Sequence, residues 1–202
     1  MKGDGSGIGG RGLLIASVVF ILIVGAIFFA ITDGLFGNSQ KTGTDTQAAV
    51  TDLFVSRSAR MTVQGPIVAN ENRESYVVEV SMDTRTIQAL KGYDQTVIDT
   101  HGYSNNRVAY TDFVYALSRV GFGKARTVSQ SAADERGVCA TGTHYVFEIL
   151  DNGRSLSRLW TTSCSKEKGT LDVSSSNLKS IKSLFDVQIP DRQTVLKDIK
   201  LR

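Results

Sequence analysis

The sequence contains only two cysteines, two prolines and two histidines. No cysteine precedes Cys139, which excludes a lipid-modified cysteine near the N-terminus. None of the asparagines lies in an Asn-x-Ser/Thr sequon, and this favours a prokaryotic source. The formal net charge is +3, whereas a nucleic-acid-binding protein usually carries a stronger basic excess. We therefore expect no nucleic-acid partner.

Motifs for common catalytic sites are also lacking. The sequence has no G-x-S-x-G, H-E-x-x-H or EF-hand pattern. A formal G-x-G-x-x-G at Gly5, Gly7 and Gly10 lacks the preceding strand that dinucleotide binding requires. Because these motifs are lacking, the sequence predicts no catalytic residues, no cofactor and no bound metal.

One long apolar run dominates the N-terminal part of the sequence. It begins at Leu13, ends at Ile31 and contains no charged residue. A helix of this length spans ~28 Å, which matches the ~30 Å hydrocarbon core of a bilayer. The run exceeds the apolar segment of a cleaved signal peptide, and small-x-small cleavage residues do not follow it. It is therefore interpreted as a retained helix in contact with the lipid bilayer.

The charges that flank this run predict its orientation. Lys2 and Arg11 precede it, and Asp33 follows it. Because positive charge favours the cytoplasmic side, the N-terminus is expected in the cytoplasm of a single-pass cell-membrane protein. Ala26 and Ala30 would allow a second helix to approach closely, so dimerisation through this face stays open.

Composition divides the chain into four parts. We expect a flexible cytoplasmic tail at residues 1–12, a transmembrane helix at 13–32, a linker at 33–45 and one extracytoplasmic α+β domain at 46–202. The last part has the usual size of one domain with its own core.

Alternating apolar residues predict an antiparallel sheet in this domain. Strands are expected over residues 58–64, 76–82 and 85–89 and form a meander. A short helix capped by Asp45 or Thr46 precedes them. Residues 93–106 have no clear pattern.

Two helices and the C-terminus complete the predicted elements. Asn105 or Asn106 caps a helix that ends at Gly121, and its core face comprises Tyr110, Phe113, Val114, Leu117 and Val120. An edge strand over 169–173 is followed by a helix that Ser175 or Ser176 caps and Pro190 ends. Residues 191–202 form either a docked helix or a partner-binding tail.

The strongest local signal is a hairpin around Asn152 and Gly153. Asn-Gly is typical of a type I′ turn, and the simplest register makes paired residue numbers sum to about 305. This register predicts the inward-facing pairs Tyr145 with Trp160, Phe147 with Arg158, and Ile149 with Leu156.

The same register brings Cys139 close to Cys164. A bulge at Gly142 or a frayed end would close the remaining gap, so we predict a disulfide that joins the open end of the hairpin. Loop entropy gives ~3.5 kcal/mol for such a bridge. A zinc site formed by these cysteines with His144 and His101 is the alternative, but its spacing matches no tight ligand motif.

The end of the second hairpin strand resembles the active-site strand of sortases. Residues 160–164 read Trp-Thr-Thr-Ser-Cys, and sortases carry Thr-Leu-x-Thr-Cys there, with an Arg shortly after the cysteine. The resemblance implies a membrane-anchored thiol enzyme with Cys164 as nucleophile and His101 as its partner. The sequence departs from the family because the motif leucine is absent and Lys166 and Lys168 follow the cysteine.

The apolar N-terminus and C-terminal disulfide also resemble those of pilin-like subunits. Pilins continue their apolar helix into the domain and carry an early Glu, and neither feature is present here. Because the sequence carries no catalytic motif, it favours a non-catalytic binding or cell-envelope assembly role. An envelope protein is the expected partner.

Overall fold

The computed structural model describes residues 57–164, 169–197, 199 and 201. The described residues form β1 Arg57–Gln64, β2 Glu74–Ser81, β3 Thr84–Lys91, β4 Thr96–Ser104, α1 Arg107–Arg119, α2 Gln130–Ala133, β5 His144–Asp151, β6 Arg154–Thr162, α3 Ser175–Asp186 and α4 Arg192–Val195. The predicted tail, transmembrane helix, linker and short helix near Asp45 lie outside these residues. Within the described part of the chain, no helix is long and apolar enough to cross a membrane.

The strands form one antiparallel sheet in the order β4-β3-β2-β1-β5-β6. The predicted meander is confirmed, and the unassigned stretch 93–106 contributes β4 as a further strand. β5 pairs with the free side of β1, so the first strand is central. A six-stranded antiparallel sheet with a few helices confirms the predicted α+β class for the described domain.

One face of the sheet carries the core. Side chains alternate along each strand, so the apolar positions of neighbouring strands meet on one side. The fully buried members on this face include Met61, Val63, Tyr76, Val78, Ile87 and Phe147. Residues of α1 and α3 belong to the same core cluster, and these helices cover this face.

Helix α1 forms as predicted. The Asn106 side chain accepts a hydrogen bond from the Ala109 amide at 3.0 Å and caps the helix. Gly121, with φ +85°, takes the left-handed conformation that follows the helix end. The Phe113 ring meets Phe185 of α3 edge to face, with centroids 5.2 Å apart, which joins the two helices over the sheet.

Helix α3 begins and ends slightly earlier than predicted. Ser174, rather than Ser175 or Ser176, is the cap, and its hydroxyl accepts from the Asn177 amide at 3.2 Å. The edge strand expected over 169–173 is wrong, because only one isolated bridge forms there, between Ala125 and Leu171. The Trp160 amide donates to the Thr170 hydroxyl, where a regular ladder would have a backbone carbonyl as the acceptor.

The C-terminal segment adopts the docked alternative as far as α4. Val195 is buried in the core. Arg192 donates to the Tyr76 hydroxyl at 3.0 Å, and its guanidinium lies over the same ring. The His101 imidazole on β4 contacts the Asp191 carboxylate at 3.2 Å. These contacts fix the segment against the sheet.

The hairpin forms as predicted, but the predicted register is wrong for the residue pairs farther from the turn. Asn152 and Gly153 both have positive φ, as a type I′ turn requires. A bulge at Leu156 then shifts β6 by one residue relative to β5. The observed pairs are Tyr145 with Thr161, Phe147 with Leu159, and Ile149 with Ser157. Trp160 and Arg158 consequently lie on the face opposite the core helices.

The predicted disulfide between Cys139 and Cys164 is confirmed, with Cα atoms 5.8 Å apart. Gly142 packs against it, since a Cβ at that position would lie 2.5 Å from the Cys139 sulfur. The bridge holds the segment that precedes β5 against the end of β6. This segment, residues 130–143, forms a wall beside the open face of the sheet.

Candidate functional site

The sheet face away from α1 and α3 is polar and partly open. On β1 the residues that alternate with the core positions are Ser58, Arg60, Thr62 and Gln64. A groove of about 310 Å³ crosses this face. It is lined by Arg60, Thr62, Gln64, Val77, Gln88, Leu90, Gln95, Val97, Val146, Glu148 and Arg158. We call this surface the sheet groove.

The two arginines that line the sheet groove are paired with carboxylates. Arg60 donates to Glu79 at 2.7 Å and lies 3.7 Å from Glu148 on the other side. Arg158 contacts both carboxylate oxygens of Glu135, at 2.6 and 2.9 Å. The two arginines are thereby held in fixed positions along the groove.

Amide side chains lie between these charge pairs. Gln88 and Gln95 line the groove, and within the described residues neither side chain has a hydrogen-bond partner. Gln64 is the exception, since its carbonyl oxygen accepts from Arg73 at 3.1 Å. The groove therefore offers amide donors and acceptors to a bound polar group.

A second, smaller cavity of about 90 Å³ lies beside the disulfide. It is lined by Gln64, Gly65, Ile67, Arg73, Glu135, Val138, Cys139, Gly142 and His144. We call it the His144 cavity. Gln64 lines both the sheet groove and this cavity, so the two are neighbours on the same face.

The imidazole of His144 is the notable group in the cavity. The residue is only 9% exposed, and both ring nitrogens are buried without a hydrogen-bond partner in the described part of the chain. Its ring stacks on Trp160 with centroids 5.1 Å apart, and Nε2 lies 3.7 Å from the Glu135 carboxylate. Burial lowers the pKa of His144, and Glu135 opposes this while Arg158 and Arg73 add to it.

Arg73 forms another wall of the cavity. Its guanidinium donates to the carbonyl oxygens of Gly65 and Pro66, the latter at 2.7 Å. The Tyr93 ring lies 5.2 Å from the guanidinium carbon. Burial lowers the pKa of Arg73, yet a guanidinium stays charged at neutral pH. Arg73 thus places a fixed positive charge in the cavity.

The structure does not bring the proposed thiol pair together. His101 lies on β4 at one edge of the sheet, and Cys164 follows β6 at the other edge. Five strand spacings of ~4.8 Å separate these edges by roughly 24 Å. Cys164 is also bonded to Cys139 and holds no thiolate.

The four residues of the zinc alternative are likewise divided. Cys139, Cys164 and His144 lie near the same end of the sheet, but the disulfide uses both sulfurs and His101 is at the far edge. Across residues 57–164 and 169–197, no three His, Cys, Asp or Glu side chains are arranged to hold a metal ion.

Sequence reasoning missed most of this site. The two-residue period placed Arg60, Thr62 and Gln64 on the polar side of their strand, but it gave no reason to select them. The simplest hairpin register predicts Arg158 on the inward face, and the bulge at Leu156 moves it to the opposite face. The sequence predicts His144 as a surface or strand-lining histidine, with a zinc ligand as the alternative, and no local pattern marks it as buried next to Arg73.

Comparison with known proteins adds no function. No protein-family model, curated protein or solved structure shows significant similarity to the chain.

Proposed function

We propose that this chain is a single-pass cell-membrane protein that presents a disulfide-stabilised domain outside the cytoplasm and binds a partner through the sheet groove. Its role is non-catalytic, in binding or in envelope assembly. The N-terminus stays in the cytoplasm, and residues 13–31 anchor the chain in the bilayer.

The disulfide between Cys139 and Cys164 carries this proposal. Structural disulfides persist in oxidising compartments, and this bridge uses both cysteines of the chain. The uncharged apolar run supports the anchor, and Lys2 and Arg11 before it support the orientation.

The sheet groove supports binding through hydrogen bonds. Its charges are already paired, and its exposed amides remain able to accept or donate. A concave polar surface on a rigid sheet positions such groups without further rearrangement. The thiol-enzyme alternative gains no support from this geometry, because His101 and Cys164 lie at opposite sheet edges.

Membrane extraction combined with peptide mapping tests the proposal. The full chain is expressed in a bacterial host, and the membrane fraction is washed with alkaline carbonate. The protein is then digested without reductant. We expect the chain to stay in the membrane fraction, external protease to reach its C-terminal part, and mass spectrometry to find a linked Cys139–Cys164 peptide. A variant that lacks residues 13–31 is the control and should leave the membrane. Two free thiols together with a protease-protected C-terminal part would overturn the proposal.

A further inference from the structure

The His144 cavity contains polar groups that the fold itself does not use. Both imidazole nitrogens are buried without a partner in the described structure, and burying such groups unpaired costs free energy. The ring is nevertheless held firmly, since it stacks on Trp160. A cavity of about 90 Å³ adjoins it, which corresponds to the liquid volume of ~3 water molecules. The cavity therefore has room for a small polar group next to the imidazole ring, whose two nitrogens are covered by the surrounding protein.

The charges around the cavity indicate the sign of that group. Of the described titratable side chains, Glu135, Arg158 and Arg73 act on His144. Arg158 and Glu135 neutralise each other through two hydrogen bonds. Among the residues that the structure describes, Arg73 bonds only neutral groups, namely two carbonyl oxygens and the Gln64 amide. The described side chains consequently give the cavity one uncompensated positive charge, which opposes a metal cation and favours an anion.

We propose that the His144 cavity binds a carboxylate group, and that His144 takes up a proton from solvent as the carboxylate enters. This inference rests on the proposed function, because it gives the binding face a ligand class. Arg73 supplies the permanent charge, and protonated His144 adds a second positive charge. A carboxylate beside Arg73 accepts a charge-assisted hydrogen bond from the guanidinium, and the neighbouring imidazolium stabilises it through its charge.

The linked proton sets the direction of the pH dependence. Burial holds the pKa of His144 below its ordinary value, so the imidazole is neutral at pH 7. A bound carboxylate stabilises the imidazolium and raises that pKa. Affinity therefore rises as the pH falls below neutrality, by at most ~10-fold per pH unit for one linked proton. The rise ends when the free imidazole is itself protonated.

The neighbouring groove suggests how the carboxylate arrives. Gln64 belongs to both surfaces, and Gln88 and Gln95 offer free amides beyond it. A peptide that places its carboxylate in the cavity could lay its backbone along these amides. A small organic acid would fill the cavity alone. Both sources share the carboxylate, and the experiment distinguishes them.

Imidazole NMR on the detergent-solubilised full chain tests the proposal. The chain has only two histidines, so a His101→Gln variant assigns the His144 signals directly. Sodium acetate is titrated at about pH 6 and about pH 7.5 against equimolar sodium chloride. We expect acetate, and not chloride, to raise the His144 titration midpoint by ~1 unit. By linkage, a shift of ~1 unit corresponds to acetate binding that is at most ~10-fold tighter in total at acidic pH than above neutrality.

Peptide probes identify the source of the carboxylate. Acetyl-glycyl-glycine is compared with acetyl-glycyl-glycinamide, which has the same backbone without the charge. A response to the acid at lower concentration than acetate assigns a peptide ligand, and an equal response assigns a small acid. The amide should leave the His144 signals unchanged.

Two results would overturn the inference. One is a His144 midpoint that acetate moves no further than chloride does, in a protein whose other signals show it to be folded. The other is an equal response to the acid and the amide. Neither result depends on the membrane fraction or on the linked cysteine peptide, so the proposed function would stand or fall separately.

Discussion

Gly169 lies directly against the indole of Trp160, where a Cβ atom would come within 2.3 Å of both the ring and the Trp160 carbonyl oxygen. Trp160 is buried, and its Nε1 donates to the carbonyl of Ala133 at 3.1 Å. The indole is thus enclosed by the strand, by the segment before β5 and by the backbone at Gly169. Since the His144 ring stacks on the Trp160 indole, the packing of Trp160 helps to fix the imidazole that lines the His144 cavity.

A Gly169→Ala substitution should destabilise the protein by about 2 to 3 kcal/mol, because overpacking against backbone and indole cannot be relieved by a small side-chain movement. Gly102→Ala is the matched control, as a Cβ there meets nothing within 4 Å. Urea unfolding of both variants measures the difference. Equal stability of the two would show that the backbone at Gly169 can retreat from the indole.

Removal of the disulfide by a Cys139→Ser, Cys164→Ser double substitution should lower the free energy of unfolding by about 3.5 kcal/mol. The reason is that the cross-link limits the unfolded chain, while Gly142 and Ser163 remain able to pack. Urea unfolding of the double variant and of the reduced parent should coincide. An unchanged midpoint in both would mean that the segment before β5 is held by other contacts.

A Gln88→Lys substitution should abolish partner binding at the sheet groove without loss of stability. Gln88 lines the groove without a side-chain partner in the described structure, and a lysine adds bulk and charge there. Cross-linking in intact cells, followed by mass spectrometry, identifies the partner of the parent chain and tests its retention.

Gln193→Lys is the control for this substitution, since it makes the same chemical change at an exposed position on α4. Retention of the partner by the Gln88→Lys chain at the parent level would move the interface away from the groove. Loss of the partner from both variants would show that the added positive charge disrupts binding wherever it lies.

A structural feature of this protein is predictable from the sequence when the residues that determine it lie close together in the chain. Asn106, Gly121 and the Asn152–Gly153 pair act within a few residues, so the helix cap and the hairpin turn were predictable. The disulfide was predictable because the turn fixes which chain ends meet. In contrast, the bulge at Leu156 has no turn signature, and it reversed the faces of Arg158 and Trp160.

The candidate site was less predictable because it depends on distant segments. Arg60 and Gln64 lie on β1, but the groove also needs Gln88 from β3 and Glu148 from β5, and these are neighbours only through the sheet order. The His144 cavity also depends on the hydrogen bond that the Arg73 guanidinium donates to the Gly65 carbonyl oxygen. A single sequence gives no local pattern for such contacts.

Acidification should destabilise the protein through His144. Because burial lowers the pKa of this imidazole in the folded state, the unfolded chain binds a proton first as the pH falls. Stability is therefore fully present above the ordinary histidine pKa of about 6.5 and decreases below it, until the folded pKa is reached. Urea unfolding at a series of pH values, in a buffer without carboxylates, should show this decrease in the parent chain.

The His144→Gln variant should lack this loss of stability on acidification. The His101→Gln control should retain it, since His101 lies half exposed beside Asp191 on the far edge of the sheet. Acetate should restore part of the stability at acidic pH in the parent and none in the His144→Gln variant, because a ligand that binds only the folded state stabilises it by mass action. A parent chain whose stability at about pH 6 equals that at about pH 7.5 would show that His144 is protonated in the folded state as readily as in the unfolded chain. The cavity would then hold a group that already compensates the imidazolium.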